Sequence, residues 1–176
     1  MKFGIGLKNK IMLIYFYRFN NWLYRHHIPL LPKIIWRLQY LLFNCSVPGS
    51  CKIGKGSKFA YGGIAVVIHS RAVVGENCLI GQGVTIGGKS GWYEVPVIGN
   101  NVIINAGAKI IGPVRIGNNV EIGASTVVVK DVPSNCVVAG IPARILRSNM
   151  TIDDWTEMNK EKVRGDKPFP VTPERK

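Results

Sequence analysis

The chain has 176 residues, 47% of them apolar, with 23 Lys/Arg against 10 Asp/Glu, a formal net charge of +13. That length suits one domain with modest extensions, and the apolar fraction excludes a disordered chain. No apolar stretch approaches the roughly 18 residues of a membrane span. The four cysteines (Cys45, Cys51, Cys78, Cys136) show neither CxxC nor paired His spacing, so a disulfide framework and a metal site are not expected.

Residues 1–48 are predicted to form a helical segment. A helix over 8–26 places Met12, Phe16, Phe19 and Leu23 on one stripe, and Ile28-Pro29-Leu30-Leu31-Pro32 breaks it. A second helix over 33–43 starts with Pro32 near its first turn. The first 50 residues hold 10 of the 16 aromatic residues and seven basic residues, and the first acid in the chain is Glu76. This is the composition of helices lying on an anionic leaflet. It equally fits two helices packed on a neighbouring core, with Trp36, Tyr40 and Leu42 inside. The apolar run Ile11–Tyr17 meets Arg18 and has no small-residue cleavage site, so no signal peptide is expected. The expected location is cytoplasmic, with the basic helices offering peripheral contact with the inner face of the membrane.

Residues 49–147 carry a repeat of six. Aliphatic residues recur at Ile68, Val74, Ile80 and Ile86, then at Ile98, Ile104, Ile110, Ile116, Ile122 and Val128. The next residue is usually Gly or Asn, as at Gly54, Gly75, Gly81, Gly99 and Asn105. Helices space apolar residues by three and four, and free strands by two. A period of six describes a short strand, a tight corner, and the next strand. Gly and Asn suit a left-handed corner that costs other residues about 1–2 kcal/mol. Three strands make one triangular turn of 18 residues, and stacked turns make a parallel β-helix. The expected fold is therefore mainly β, a hexapeptide solenoid behind a two-helix segment.

Two phase breaks interrupt the comb. One is Ala60-Tyr61-Gly62-Gly63-Ile64-Ala65. The other, Gly88 to Pro96, lacks an inward aliphatic residue and reads as an ejected loop, the usual bearer of function on a rigid scaffold. Trp92, Tyr93 and Glu94 in that loop are candidate substrate contacts, since aromatics beside a carboxylate can hold a sugar or can merely cover an apolar surface. Residues 148–176 read as a C-terminal helix and tail, with Thr151 as a helix cap and 164–176 rich in Pro and charge.

The comb, the loop after Thr85-Ile86-Gly87-Gly88, and the ending Lys130-Asp131-Val132-Pro133 through Ala139-Gly140-Ile141-Pro142-Ala143-Arg144 resemble the left-handed β-helix acyltransferases over about residues 50–147. The nearest branch is the serine acetyltransferase group, which also holds enzymes that acetylate sugars of bacterial surface polysaccharides. The resemblance implies an acetyl-CoA-dependent O-acetyltransferase, a homotrimer with active sites between subunits. It implies Ala106 and Ala124 as CoA contacts one turn apart. Gly88, Gly140 and Arg144 are further candidates, Arg144 for a phosphate. No nucleic-acid partner is implied. The short front end is similar to the polysaccharide-locus members, so the expected acceptor is a sugar hydroxyl in capsule, lipopolysaccharide or exopolysaccharide synthesis. Serine is the alternative acceptor within the class.

The sequence departs from this family at the catalytic base. The usual histidine falls on Tyr61, the acid before it on Ala60, and the second histidine, in the loop, on Val95. The histidine of the galactoside branch falls near Gly107. His69 is the one histidine of the solenoid and the candidate substitute base, because imidazole titrates nearest neutrality. It equally reads as filling a corner slot otherwise held by Gly or Asn. Tyr61 is a candidate to orient the acceptor, since a phenol keeps its proton at neutral pH and is a poor base. Glu76 reads as a solvated corner. The missing histidine also leaves open a scaffold that binds CoA without turnover.

Overall fold

A computed structural model describes residues 12–151 together with 153, 154 and 157. Residues 164–176, the expected tail, and Trp155 lie outside the described residues.

The comb of six builds a three-sided prism. One face stacks Lys52–Ile53, Val73–Val74, Val97–Ile98 and Arg115–Ile116. The second stacks Lys58–Phe59, Leu79–Ile80, Ile103–Ile104, Val120–Ile122 and Cys136–Ala139. The third stacks Val67–Ile68, Thr85–Gly87, Lys109–Ile111 and Val127–Val128. All these pairings are parallel, and only Arg144–Arg147 returns antiparallel, against Cys136–Ala139. The inward aliphatics form the core: Ile80, Ile86, Ile104, Ile110 and Ile122 are fully buried. Each lines up with its counterpart on the next turn, as in Ile98 with Ile116, Ile104 with Ile122 and Ile110 with Val128. The loop at 88–96 lengthens its turn, yet Ile80 still pairs with Ile104 and Ile86 with Ile110. The extra residues leave the stack, and the hydrogen-bond ladder keeps its register. The first break becomes a short 3-10 turn at Ala60–Gly63.

The corners work differently from the sequence expectation. Left-handed residues sit three places after the inward aliphatic, at Asn77, Asn101 and Asn119 on one edge and at Gly83, Gly107 and Ser125 on the next. The glycines directly after the aliphatic residue answer to crowding by the next turn instead. A Cβ on Gly81 would lie 2.6 Å from the Ala106 backbone nitrogen, and one on Gly99 would lie 2.8 Å from the Gly117 carbonyl carbon. The left-handed asparagines also bond along the axis. Asn101 Nδ2 donates to Asn119 Oδ1 at 3.0 Å, and Asn119 Nδ2 donates to Asn135 Oδ1 at 2.8 Å.

Two helices close one end. α1 spans Met12–Arg25 and α2 spans Leu31–Phe43. The covered stripe of α1 is Leu13, Tyr17, Asn20 and Leu23, whereas Phe19, expected on the packed stripe, is exposed. The cause is the Tyr17 hydroxyl, which donates to the Cys51 carbonyl at 2.8 Å and accepts from the Ile53 N–H at 3.0 Å, turning that side of the helix inward. α2 ends at Asn44, whose left-handed backbone lets its N–H donate to the Tyr40 carbonyl at 3.0 Å. Ile35 and Gln39 are buried, while Trp36, Tyr40 and Leu42 are exposed and form no core. At the other end Thr151 caps as expected, its hydroxyl accepting from the Asp154 N–H at 3.1 Å.

Candidate functional site

The predicted site residues fall on two different edges of the prism. The edge between the second and third faces presents the residue two places after each inward aliphatic: Tyr61, Gln82, Ala106, Ala124 and Gly140. Backbone bonds stack these positions: the Gln82 carbonyl accepts from the Gly107 N–H, and the Ala106 carbonyl from the Ser125 N–H, each at 2.8 Å. The Gly140 carbonyl accepts from the Val127 N–H at 3.0 Å. The edge therefore narrows to small side chains over three turns and carries an aromatic ring at the helical end. Tyr61 adopts a left-handed conformation (φ 50°, ψ 35°) that swings its ring out, 65% exposed. Arg144 follows on the returning strand and is exposed.

The edge between the third and first faces carries His69, Gly88 and the loop. His69 has no left-handed backbone, so its place demands neither Gly nor Asn. Its Nδ1 accepts the Arg71 N–H at 3.2 Å. A neutral imidazole held this way keeps its proton on Nε2. Gly88 opens a notch beside the ring: a Cβ there would lie 3.6 Å from His69 Cδ2, 3.7 Å from Nε2 and 3.5 Å from Val95 Cγ1. The substitute histidine thus sits close to the loop position where the family's second histidine falls.

The loop turns back over the first face. The Trp92 N–H donates to the Lys89 carbonyl at 3.1 Å, and the Lys89 ammonium stands 5.6 Å from the Trp92 ring centre. The Arg71 guanidinium covers the Tyr93 ring at 4.0 Å. Under the loop lies an open cleft of about 560 Å³, lined among others by Tyr24, Lys52, Arg71, Tyr93, Glu94 and Arg115. Three cations and one carboxylate give this cleft a site for an anionic group and a place for an ammonium. Sequence reasoning missed Lys52, Arg71 and Arg115. A signal existed for two of them: Lys52 and Arg115 each precede an inward isoleucine, so both point outward on the same face.

Cysteine chemistry is not at hand. All four thiols are buried, and burial pushes Cys45 and Cys51 up to about 12 and Cys78 up to about 11. None is a thiolate near neutrality. Within one chain no described contact joins Tyr61 or the small-residue edge to His69 and the loop.

The family described as Bacterial transferase hexapeptide (six repeats) matches residues 96–130. A serine acetyltransferase of Synechococcus elongatus is 41% identical over 153 residues, covering 84% of this chain and 62% of that protein. The crystal structure of Neisseria gonorrhoeae serine acetyltransferase in complex with serine superposes with a TM-score of 0.72 at 33% identity, covering 77% of this chain and 55% of that one. Serine acetyltransferase from Brucella abortus in complex with coenzyme A gives a TM-score of 0.74 at 33% identity, covering 78% and 56%. The chain thus spans 62% of the curated relative and little over half of the solved ones. These relatives overturn the expectation of a polysaccharide sugar as acceptor. That expectation rested on the short basic front end and on the missing serine-site histidines, neither of which identifies the acceptor hydroxyl.

Proposed function

The chain belongs to the serine acetyltransferase-like hexapeptide acyltransferases, with their left-handed β-helix, and from that premise we propose that it transfers the acetyl group of acetyl-CoA to the hydroxyl of serine. The observation that carries this reading is the 41% identity over 153 residues, a stretch long enough to include both edges and the loop.

The reaction needs a proton acceptor for the serine hydroxyl, a donor for the thioester oxyanion, and a dry channel for the CoA arm. Ala106, Ala124 and Gly140 let a pantetheine arm lie close along their edge, and Arg144 reaches a CoA phosphate. Because these residues and His69 occupy different edges, the site closes when the small-residue edge of one copy meets the His69 edge of another. A homotrimer does this three times. Tyr61 then faces the acceptor as a hydrogen-bond donor. The cleft holds serine itself, its carboxylate toward Arg71 and Arg115 and its ammonium toward Glu94, with Tyr24 and Tyr93 as walls.

His69 takes the hydroxyl proton at Nε2 as the oxygen attacks the thioester carbon; the tetrahedral intermediate then collapses, the C–S bond breaks, and the imidazolium returns that proton to the CoA sulfur, which leaves as the thiol. To accept at Nε2, the ring must shift its own proton to Nδ1 and give up the Arg71 bond. One neutral hydrogen bond is worth about 1 kcal/mol, roughly fivefold in rate, against about 10²–10⁴ for a positioned base. The base role survives that cost.

The test is CoA release by the purified oligomer with acetyl-CoA, with and without L-serine, and identification of O-acetylserine. Serine-dependent release supports the reading. Acetyl-CoA binding with no serine-dependent release rejects it in favour of a CoA-binding scaffold, which Tyr61 at the usual histidine position would explain.

A further inference from the structure

α1 carries two stripes. Leu13, Tyr17 and Leu23 are buried, the first two in the solenoid core. Half a turn away, Tyr15, Phe19, Trp22 and His26 follow one another at spacings of four, three and four, and the first three are 66, 52 and 51% exposed. The Phe19 and Trp22 rings stack at 6.4 Å, and Trp22 meets the His26 ring at 4.3 Å. α2 repeats the theme with Leu31, Ile34, Leu38 and Leu41, which are 40–79% exposed, flanked by exposed Trp36 and Tyr40. The solvent side of a surface helix is ordinarily polar. On α2 its polar members are Lys33 and Arg37, and no Asp or Glu occurs before Glu76.

A second feature adjoins the aromatic stripe. Between α1 and the first corner of the solenoid lies a cleft of about 720 Å³, lined by Arg18, Asn21, Trp22, Arg25, His26, Lys55 and Gly56. It holds three cations and no carboxylate. The Arg18 guanidinium donates to the Ile53 and Gly54 carbonyls, so its charge is held in place without an acid beside it. Trp22 belongs to both the cleft and the exposed stripe.

We propose that the α1–α2 hairpin seats this protein on an anionic lipid leaflet, its aromatic and leucine stripes entering the headgroup boundary and the Arg18–Arg25–Lys55 cleft taking a lipid phosphate. Charge selects this occupant. A second copy would bring Arg18, Arg25, Lys33 and Arg37 against their own like, whereas an anionic leaflet neutralises them. Neither helix is long and apolar enough to cross a membrane, so the contact is one of lying on the surface.

The test pelletes the full chain with vesicles of phosphatidylglycerol in phosphatidylcholine, about one-third anionic, and with phosphatidylcholine alone. Binding is expected to the anionic vesicles, with a blue shift of tryptophan emission, and to weaken as salt shortens the Debye length. Lys33→Gln and Arg37→Gln each lower the partition coefficient about fivefold. Leu38→Glu with Leu41→Glu abolishes binding. All four side chains are exposed, and circular dichroism confirms that the variants fold. The proposal is overturned by a wild-type chain that stays in the supernatant, or by pelleting equal on neutral vesicles and indifferent to salt. It is also overturned if Leu38→Glu lowers the oligomeric state while leaving vesicle binding untouched, which assigns the face to a second copy. Turnover is not read, so the outcome is independent of whether serine is the acceptor.

Discussion

The substitution His69→Asn separates chemistry from architecture. Asparagine keeps a short polar side chain whose oxygen can accept the Arg71 N–H, the hydrogen bond His69 Nδ1 now makes at 3.2 Å. The ring is half-buried on a prism edge and contributes nothing to the aliphatic ladder. The stability at stake is therefore one neutral hydrogen bond, about 0.5–1.5 kcal/mol, or a few degrees of Tm. The rate at stake is larger. A base worth about 10²–10⁴ corresponds to about 3–5 kcal/mol of barrier. The assay is kcat with saturating L-serine and acetyl-CoA, alongside Tm and acetyl-CoA affinity by calorimetry. The expected result is a kcat at least about 10²-fold lower with unchanged acetyl-CoA affinity. A kcat within about threefold of wild type would refute the reasoning, because no positioned base is worth so little. So would a rate loss accompanied by a collapse in Tm, which returns His69 to a packing role.

Asn119→Ala removes two axial hydrogen bonds and leaves alanine at φ +55°, so it should cost about 3–5 kcal/mol in denaturant unfolding at fixed protein concentration. Asn119→Gly should cost about 1–2 kcal/mol less; equal effects would show that the corner does not require left-handed backbone. Gly81→Ala places a methyl 2.6 Å from the Ala106 nitrogen and should lower both Tm and acetyl-CoA affinity, while Gly88→Ala, with nearest contacts of 3.5–3.7 Å, should leave Tm unchanged. The buried thiols set a limit at alkaline pH. With Cys45 and Cys51 at about 12 against 9.0 when unfolded, their contribution is complete below pH 9 and is lost as pH rises from there toward 12. Stability should fall above pH 9, and Cys51→Ala should flatten the slope by up to about 1.4 kcal/mol per pH unit; an unchanged slope would disprove the burial effect.

The comb of aliphatic residues was legible because it is written by local geometry. A two-residue strand and a corner repeat every six residues, and only an inward side chain at that spacing can stack on the turn below. The ejected loop was legible for the same reason, as a departure from that period, whereas the period alone reads Ala106, Ala124 and Gly140 as small residues at a crowded corner, and the family resemblance is what singled them out. The corners were misread because Gly and Asn occur at both the first and third places after the aliphatic residue. Composition does not distinguish a residue that needs left-handed backbone from one that must leave room for the next turn.

Contacts between turns and between elements lay beyond the sequence. Arg71 and Tyr93 meet, and Lys52, Arg71 and Arg115 line one cleft, because stacking brings distant residues to the same face and the loop folds back over them. His69 and Val95 come to the two sides of the Gly88 notch through space, a neighbourhood that spacing along the chain does not show. α1 offers two stripes of similar chemistry half a turn apart, and helical periodicity favours neither. The Tyr17 hydroxyl on the Cys51 and Ile53 backbone settled which one is buried, since a helix can satisfy that pair of hydrogen bonds from one side only, and the aromatic stripe was left facing out.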